Sequence, residues 1–180
     1  YEILNQHGLS DVQIYEVKGH LSDHYNPSNL TLNLSSEIYH GTSIASLAVA
    51  AHECGHALQH QEGYKPLTFR NMIVPVCNIS QTIGWIAILL GLFIGKSSIS
   101  WLGVLLMSLM LLFQIVTLPV EFDASSRALS ILNDRYLTED EYPGAKKMLT
   151  AAALTYVAAM LSTLLSLLRI VLMVMSRDRD

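Results

Sequence analysis

Residues 50–60 read AAHECGHALQH, three histidines and a glutamate on what the local sequence marks as one helix. GTS at 41–43 offers an N-cap, and Gly63 with Pro66 beyond it supplies a stop, so a helix is predicted over residues 44–61. His52 and His56 are four residues apart, which stacks them on one face about 6 Å apart along the axis. Glu53 borders that face. This is the HExxH arrangement, in which two neutral imidazoles hold zinc and the glutamate takes a proton from water. Zinc is needed because it lowers the pKa of a bound water from ~15.7 to ~7 and polarises a carbonyl.

Such a site needs a third ligand. His60 continues the same ladder but lies roughly 12 Å from His52 along the axis, whereas zinc donors sit about 2 Å from the metal. A metzincin would place a third histidine at position 62 and glycine at 59; here these are Glu62 and Gln59. His60 is therefore read as an interfacial or supporting side chain. The better third ligand emerges from the rest of the chain.

Of the 180 residues, 51% are hydrophobic and the mean hydropathy is +0.37, above what a soluble domain carries. Three apolar runs explain the excess, beginning at Ile73 (IVPVCNISQTIGWIAILLGLFIG), Ile99 (ISWLGVLLMSLMLLFQIVTLPV) and Ala151 (AAALTYVAAMLSTLLSLLRIVLMVM). Each is long enough for the ~30 Å hydrocarbon core, and a soluble shell around three such core helices would need a larger chain. In the His helix, by contrast, the unbroken apolar stretch from Ile44 to Ala51 is too short to span, which places that helix beside the membrane. The first two runs, joined by a short KSSIS loop at 96–100, return the chain to the side it left, so EFDASSRAL from Glu121 re-emerges beside the histidines. Pro119 is expected to kink the helix just before Glu121, with helical spacing resuming through Leu132. Two histidines and Glu121 leave the fourth zinc position open, as a catalytic site requires.

The fold predicted is a mainly α membrane protein with a small α+β part outside the bilayer. Residues 1–72 form an extramembrane part with the HExxH helix, 73–120 a membrane hairpin, 121–150 an extramembrane helix carrying the third ligand, and 151–180 a membrane helix and tail. VQIYEV at 12–17 and LTLNLS at 30–35 have the alternation of short strands, with GHLSDHYNPSN between them as turn chemistry and YPG at 142–144 as a loop. LTLNLS, with Leu30, Leu32 and Leu34 inward, is a possible sheet edge for an extended peptide. A net charge of −4 without a block of like charges excludes nucleic acid as a partner. Cys54 and Cys77 form no disulfide framework, and Cys54 is read as a small packed hydrophobe. The chain opens at Tyr1 rather than Met, so a preceding segment is expected.

AAHECGHALQHQEGY, LPVEFDASSRAL and LSDHYNP together resemble the YugP-like family of neutral zinc metallopeptidases, bacterial membrane proteins, over nearly the whole chain. More distantly, HExxH followed after a helical hairpin by a glutamate is similar to the membrane gluzincins related to the HtpX and CAAX-processing proteases. Those carry Asp four residues after the ligand Glu, where this chain has Ser125, with Asp123 two residues after it. The resemblance implies a zincin-like extramembrane fold, Zn2+ as cofactor, peptide or protein substrates, a bacterial cell membrane location and a cytoplasmic active site. The basic residues decide the orientation weakly: Lys65, Arg70, Arg127, Lys146 and Lys147 stand on one side, Lys96, Arg177 and Arg179 on the other.

The expected activity is a membrane-anchored zinc endopeptidase with Glu53 as base and His52, His56 and Glu121 as metal ligands. A site-2-type protease would bring an Asp-Gly motif, which is absent from the sequence. The competing class is a zinc-binding membrane protein without turnover, either a transporter or sensor or an inactive relative. Transport ligands belong near the midplane of spanning helices, however, and these three fall outside or at the ends. Tyr25, His24, Tyr39, His40, Arg127 and Tyr136 are the possible oxyanion donors. Asp123 and Arg127 stand as an i, i+4 ion pair with or without a role beside the site.

Overall fold

A computed structural model describes residues 1–177; Arg179, one of the basic residues weighed for orientation, lies outside the described residues. In chain order the elements are α1 (Glu2–Gln6), β1 (Gln13–Val17), β2 (His24–Asn26), β3 (Thr31–Ser35), α2 (Ser36–Tyr39), α3 (Ile44–Gln61), α4 (Lys65–Ile94), α5 (Ser97–Arg135) and α6 (Tyr142–Arg177). They form two compact units, one of residues 1–68 and 119–154, the other of residues 69–118 and 155 onward.

In the first unit, three strands form a sheet in the order β1-β3-β2. β3 pairs parallel with β1 (Ile14 with Leu32, Glu16 with Leu34) and antiparallel with β2 (Tyr25 with Leu32). The central place of β3 corrects the expectation that LTLNLS is an edge: both its sides are already hydrogen-bonded. β2 itself was hidden in a stretch read as turn, because three residues beside a proline carry no strand signal until β3 is there to pair with. Leu32 and Leu34 point into the core, but Leu30 precedes the strand with φ of 55° and is 38% exposed.

The sheet packs on α3 through a core that includes Leu4, Val12, Leu32, Ala51, Leu132 and Leu149. α3 begins at Ser43, whose side chain accepts from the Ser46 N–H at 3.1 Å, and ends where Gly63 takes φ of 63°. At that end the Tyr64 N–H reaches the Gln59 carbonyl and the Gly63 N–H the His60 carbonyl, a Schellman closure that satisfies two of the last carbonyls. YPG is not a loop: Tyr142, Pro143 and Gly144 open α6, where proline gives up an N–H that the first turn leaves unbonded anyway.

In the second unit, α4 and α5 touch at two glycines: a Cβ on Gly103 would lie 2.6 Å from the Gly84 carbonyl oxygen. Small residues at such a crossing let backbones approach as they do between membrane helices. Ile88, Val104, Met107, Ile170 and Val174 fill this unit's interior. Its outer surface is apolar, with Phe93 93% exposed and Leu165 65%, as suits a lipid-facing surface. α4, α5 and α6 are the three described helices long and apolar enough to cross a membrane, and α3 is not among them. The turn between α4 and α5 is tighter than expected, since Ser97–Ser100 already belongs to α5. α5 continues as one helix through Pro119 to Arg135 and so carries Glu121 on a helical framework.

Candidate metal centre

His52 and His56 stand edge to face on α3, with ring centroids 4.7 Å apart. Glu121 comes to them from α5, 1% exposed, its Oε2 lying 3.3 Å from His52 Nε2 and 3.6 Å from His56 Nε2. Among the described residues these are the only three His, Cys, Asp or Glu side chains whose donor atoms gather in this way, all within 4.8 Å of one another. Glu53 sits beside them in α3 and is buried at 7% exposure.

The other ring nitrogens are occupied. Ser125 Oγ lies 3.1 Å from His52 Nδ1, and Gln59 Oε1 lies 3.0 Å from His56 Nδ1. Both Nδ1 atoms are thus held from behind, leaving both Nε2 atoms facing Glu121. The sequence marks Ser125 only as standing where the gluzincins carry Asp, and Gln59 only as standing where a metzincin carries glycine; neither is assigned there to a histidine. Ser125 stands four residues after Glu121, on the same helical face, and Gln59 three after His56; a polar residue on the buried side of a helix was the available signal. Asp123 and Arg127 do pair, with Arg127 Nε donating to Asp123 Oδ2 at 2.6 Å, and they reach the site through Gln59, whose Nε2 donates to the same oxygen at 2.8 Å. Arg127 also donates to Glu62 Oε2 at 2.8 Å and lies over the Tyr64 ring.

The electrostatics follow from burial and crowding. Burial opposes charge on His56, but the carboxylates of Glu121 and Glu53 outweigh it and raise its pKa above the ordinary imidazole value. Burial likewise raises Glu53; the two histidines and the main-chain N–H of Tyr25 pull the other way and Glu121 adds to the rise. Burial pushes the Cys54 thiol up to about 12, in keeping with its place in the core at 5% exposure.

His60 is turned from the metal cluster and meets the Tyr25 hydroxyl at 2.9 Å through its Nδ1. Of the residues weighed as oxyanion donors, Tyr25 is thereby placed on β2 against α3. His24 is exposed and bonds its neighbour Ser22, and His40 pairs with Glu16. Tyr39 and Tyr136 line a cleft at the N-terminal end of α3, and the guanidinium of Arg127 is committed to two carboxylates.

Residues 1–175 match the family described as "Putative neutral zinc metallopeptidase". The chain belongs to that family. Over 179 residues it is 45% identical to a protein of Bacillus subtilis (strain 168) named "Putative membrane protease YugP", a match that covers 99% of this chain and 79% of the relative. No solved structure matches the chain.

Zinc is the cofactor of the family, and the donor set fits it. Bonds of ~2.1 Å at a tetrahedral centre put ligand atoms ~3.4 Å apart. The two separations from Glu121 Oε2, 3.3 and 3.6 Å, straddle that value. Two imidazole nitrogens and one carboxylate oxygen are also the donor types of a catalytic rather than a purely structural zinc site.

Proposed function

We propose that this zinc metallopeptidase is a membrane-anchored endopeptidase of gluzincin type, with His52, His56 and Glu121 as the ligands and Glu53 as the general base. The observation that carries the proposal is the buried Glu53 carboxylate, next in sequence to His52 and beside a cluster of three donors that leaves a fourth tetrahedral position open. When bound, zinc acidifies water and polarises the carbonyl of a peptide bond. Glu53 Oε takes a proton from the attacking water and later delivers it to the departing amide nitrogen. A C–O bond forms, the C–N bond breaks, and a carboxylate and an amine result. Ser125 and Gln59 hold the two imidazoles in place during turnover.

The substrate is a peptide or protein held in extended form. Support comes from β2, whose one side pairs with β3 and whose other side has no strand among the described residues. The Tyr25 hydroxyl is tied to His60 and the Tyr25 main-chain N–H to Glu53, both of α3, so this unpaired edge lies along the His helix, where an added strand would present its backbone to the site in zincin-like fashion. Membrane proteins or membrane-borne peptides suit an enzyme with three apolar helices, and the resemblance to HtpX-like proteases supports a site on the cytoplasmic face of the bacterial cell membrane.

The test is peptide hydrolysis by the purified full chain in detergent, with zinc counted by elemental analysis. One zinc per chain and hydrolysis that a chelator abolishes and added zinc restores are expected. A protein that binds zinc stoichiometrically yet cleaves none of a broad peptide library would overturn the enzyme reading in favour of a zinc-binding membrane protein without turnover.

A further inference from the structure

Gln59 is completely buried, at 0% exposure, and each of its polar atoms has a partner. Its Nε2 donates to the Val120 carbonyl at 2.8 Å and to Asp123 Oδ2 at 2.8 Å, while its Oε1 lies 3.0 Å from His56 Nδ1. A side-chain amide has nearly the same shape either way round, so its orientation must be settled by its partners. Here they settle it. The Val120 carbonyl only accepts, and Asp123 is a carboxylate paired with Arg127; a reversed amide would set its oxygen against two acceptors. Oε1 therefore faces His56, and because it too can only accept, His56 Nδ1 must carry the hydrogen.

We propose that Gln59 is a positioning residue that locks His56 in its Nδ1–H tautomer and so presents the Nε2 lone pair to the metal. The lock runs from Arg127 to Asp123 to Gln59 to His56, and it joins α3 to the turn of α5 that carries Glu121, since Val120 and Asp123 flank that ligand. His52 is held differently. Ser125 Oγ both donates and accepts, so a hydroxyl at 3.1 Å leaves the tautomer of His52 free. The two histidines of the motif are thus supported unequally, one by an amide of fixed direction and one by an adaptable hydroxyl. The proposal rests on the reading of His56 as a zinc ligand.

The experiment has two parts. Nitrogen-15 spectra of the histidine-labelled, metal-free full chain carrying Glu121→Ala, which removes the carboxylate facing His56 Nε2, at mildly alkaline pH and with the His56 signal assigned by its loss in His56→Gln, report the tautomer directly. The Nδ1–H form is expected in this chain and a mixture once Gln59→Met is added, which keeps the length of the side chain but not its acceptor. Zinc affinity by chelator competition is expected to fall about 10- to 100-fold in Gln59→Met. An Nε2–H or mixed His56 in the Glu121→Ala chain would overturn the proposal, and this measurement stands even if Gln59→Met does not fold. Undiminished zinc affinity in a folded Gln59→Met would overturn it as well. Undiminished affinity in His56→Gln would remove the ligand assignment, and the lock's purpose with it, while the tautomer in the Glu121→Ala chain would show that this and not the amide geometry had failed.

Discussion

Gly55 on α3 faces the backbone of Ala124 on α5 so closely that a Cβ at position 55 would stand 2.6 Å from the Ala124 carbonyl oxygen. Position 55 precedes His56, and Ala124 lies between Glu121 and Ser125, so this close approach of the two helices falls among the residues of the candidate metal centre. A carbonyl oxygen in a helix cannot swing aside as a flexible side chain would, and only separation of the helices relieves the clash.

Gly55→Ala is accordingly expected to cost about 1–3 kcal/mol of stability, the usual range for overpacking, and to weaken zinc binding further by moving Glu121 off the histidines. Thermal unfolding and chelator competition on the same preparation measure both effects. Parent-like zinc affinity in this variant would show that the crossing does not set the ligand spacing.

The ligand set itself is tested by contrast. Glu121→Ala removes a buried donor whose Oε2 lies 3.3 Å from His52 Nε2, whereas His60→Ala removes a ring bonded to Tyr25. Purified Glu121→Ala should carry zinc far below one per chain and His60→Ala about the parent amount. Full zinc in Glu121→Ala would strike Glu121 from the ligands.

How far the sequence alone reached can be judged at individual residues. Ser43 and Gly63 bracket α3 as their chemistry predicts, because capping is a local matter of one side-chain oxygen and one left-handed φ. The three apolar runs are equally local. α4 nevertheless starts at Lys65, eight residues before the run that begins at Ile73, since a helix does not stop where its apolar content does. What stayed hidden depends on partners distant in sequence. His24–Asn26 is a strand only because β3 pairs with it, and β3 is central only because β1 and β2 take both its sides. The cluster of His52, His56 and Glu121 was anticipated from motif and topology together, but Gln59 and Ser125 were not. Their directions are set by Val120, Asp123 and His52 across the α3–α5 contact, which no helical period reveals.

Membrane topology gives the third expectation: residues 1–72 and 121–150 face one side, and the α4–α5 turn faces the other. Lys18, Glu139 and Ser98 are exposed positions for single cysteines, and the native Cys54 and Cys77 are both buried. An impermeant thiol reagent applied to sealed vesicles of one orientation should modify Lys18→Cys and Glu139→Cys together and spare Ser98→Cys. Labelling of all three from one side would contradict the two-span hairpin.

The last expectation separates chemistry from metal binding. Glu53 adjoins His52 in sequence and is buried, but Glu121 already supplies the carboxylate that lies within 3.6 Å of both Nε2 atoms. The proposed mechanism thus leaves Glu53 for proton transfer. Gln at this position keeps the shape of the side chain and its capacity to accept from the Tyr25 main chain, while it loses the ability to hold a proton for the departing nitrogen. Glu53→Gln should therefore fold, insert and retain one zinc per chain, yet lose at least ~100-fold in peptide hydrolysis, the lower end of what a positioned acid–base group contributes. Metal content and initial rates on one preparation decide the matter. Hydrolysis at the parent rate would leave the mechanism without its base, and loss of zinc would make Glu53 a ligand instead.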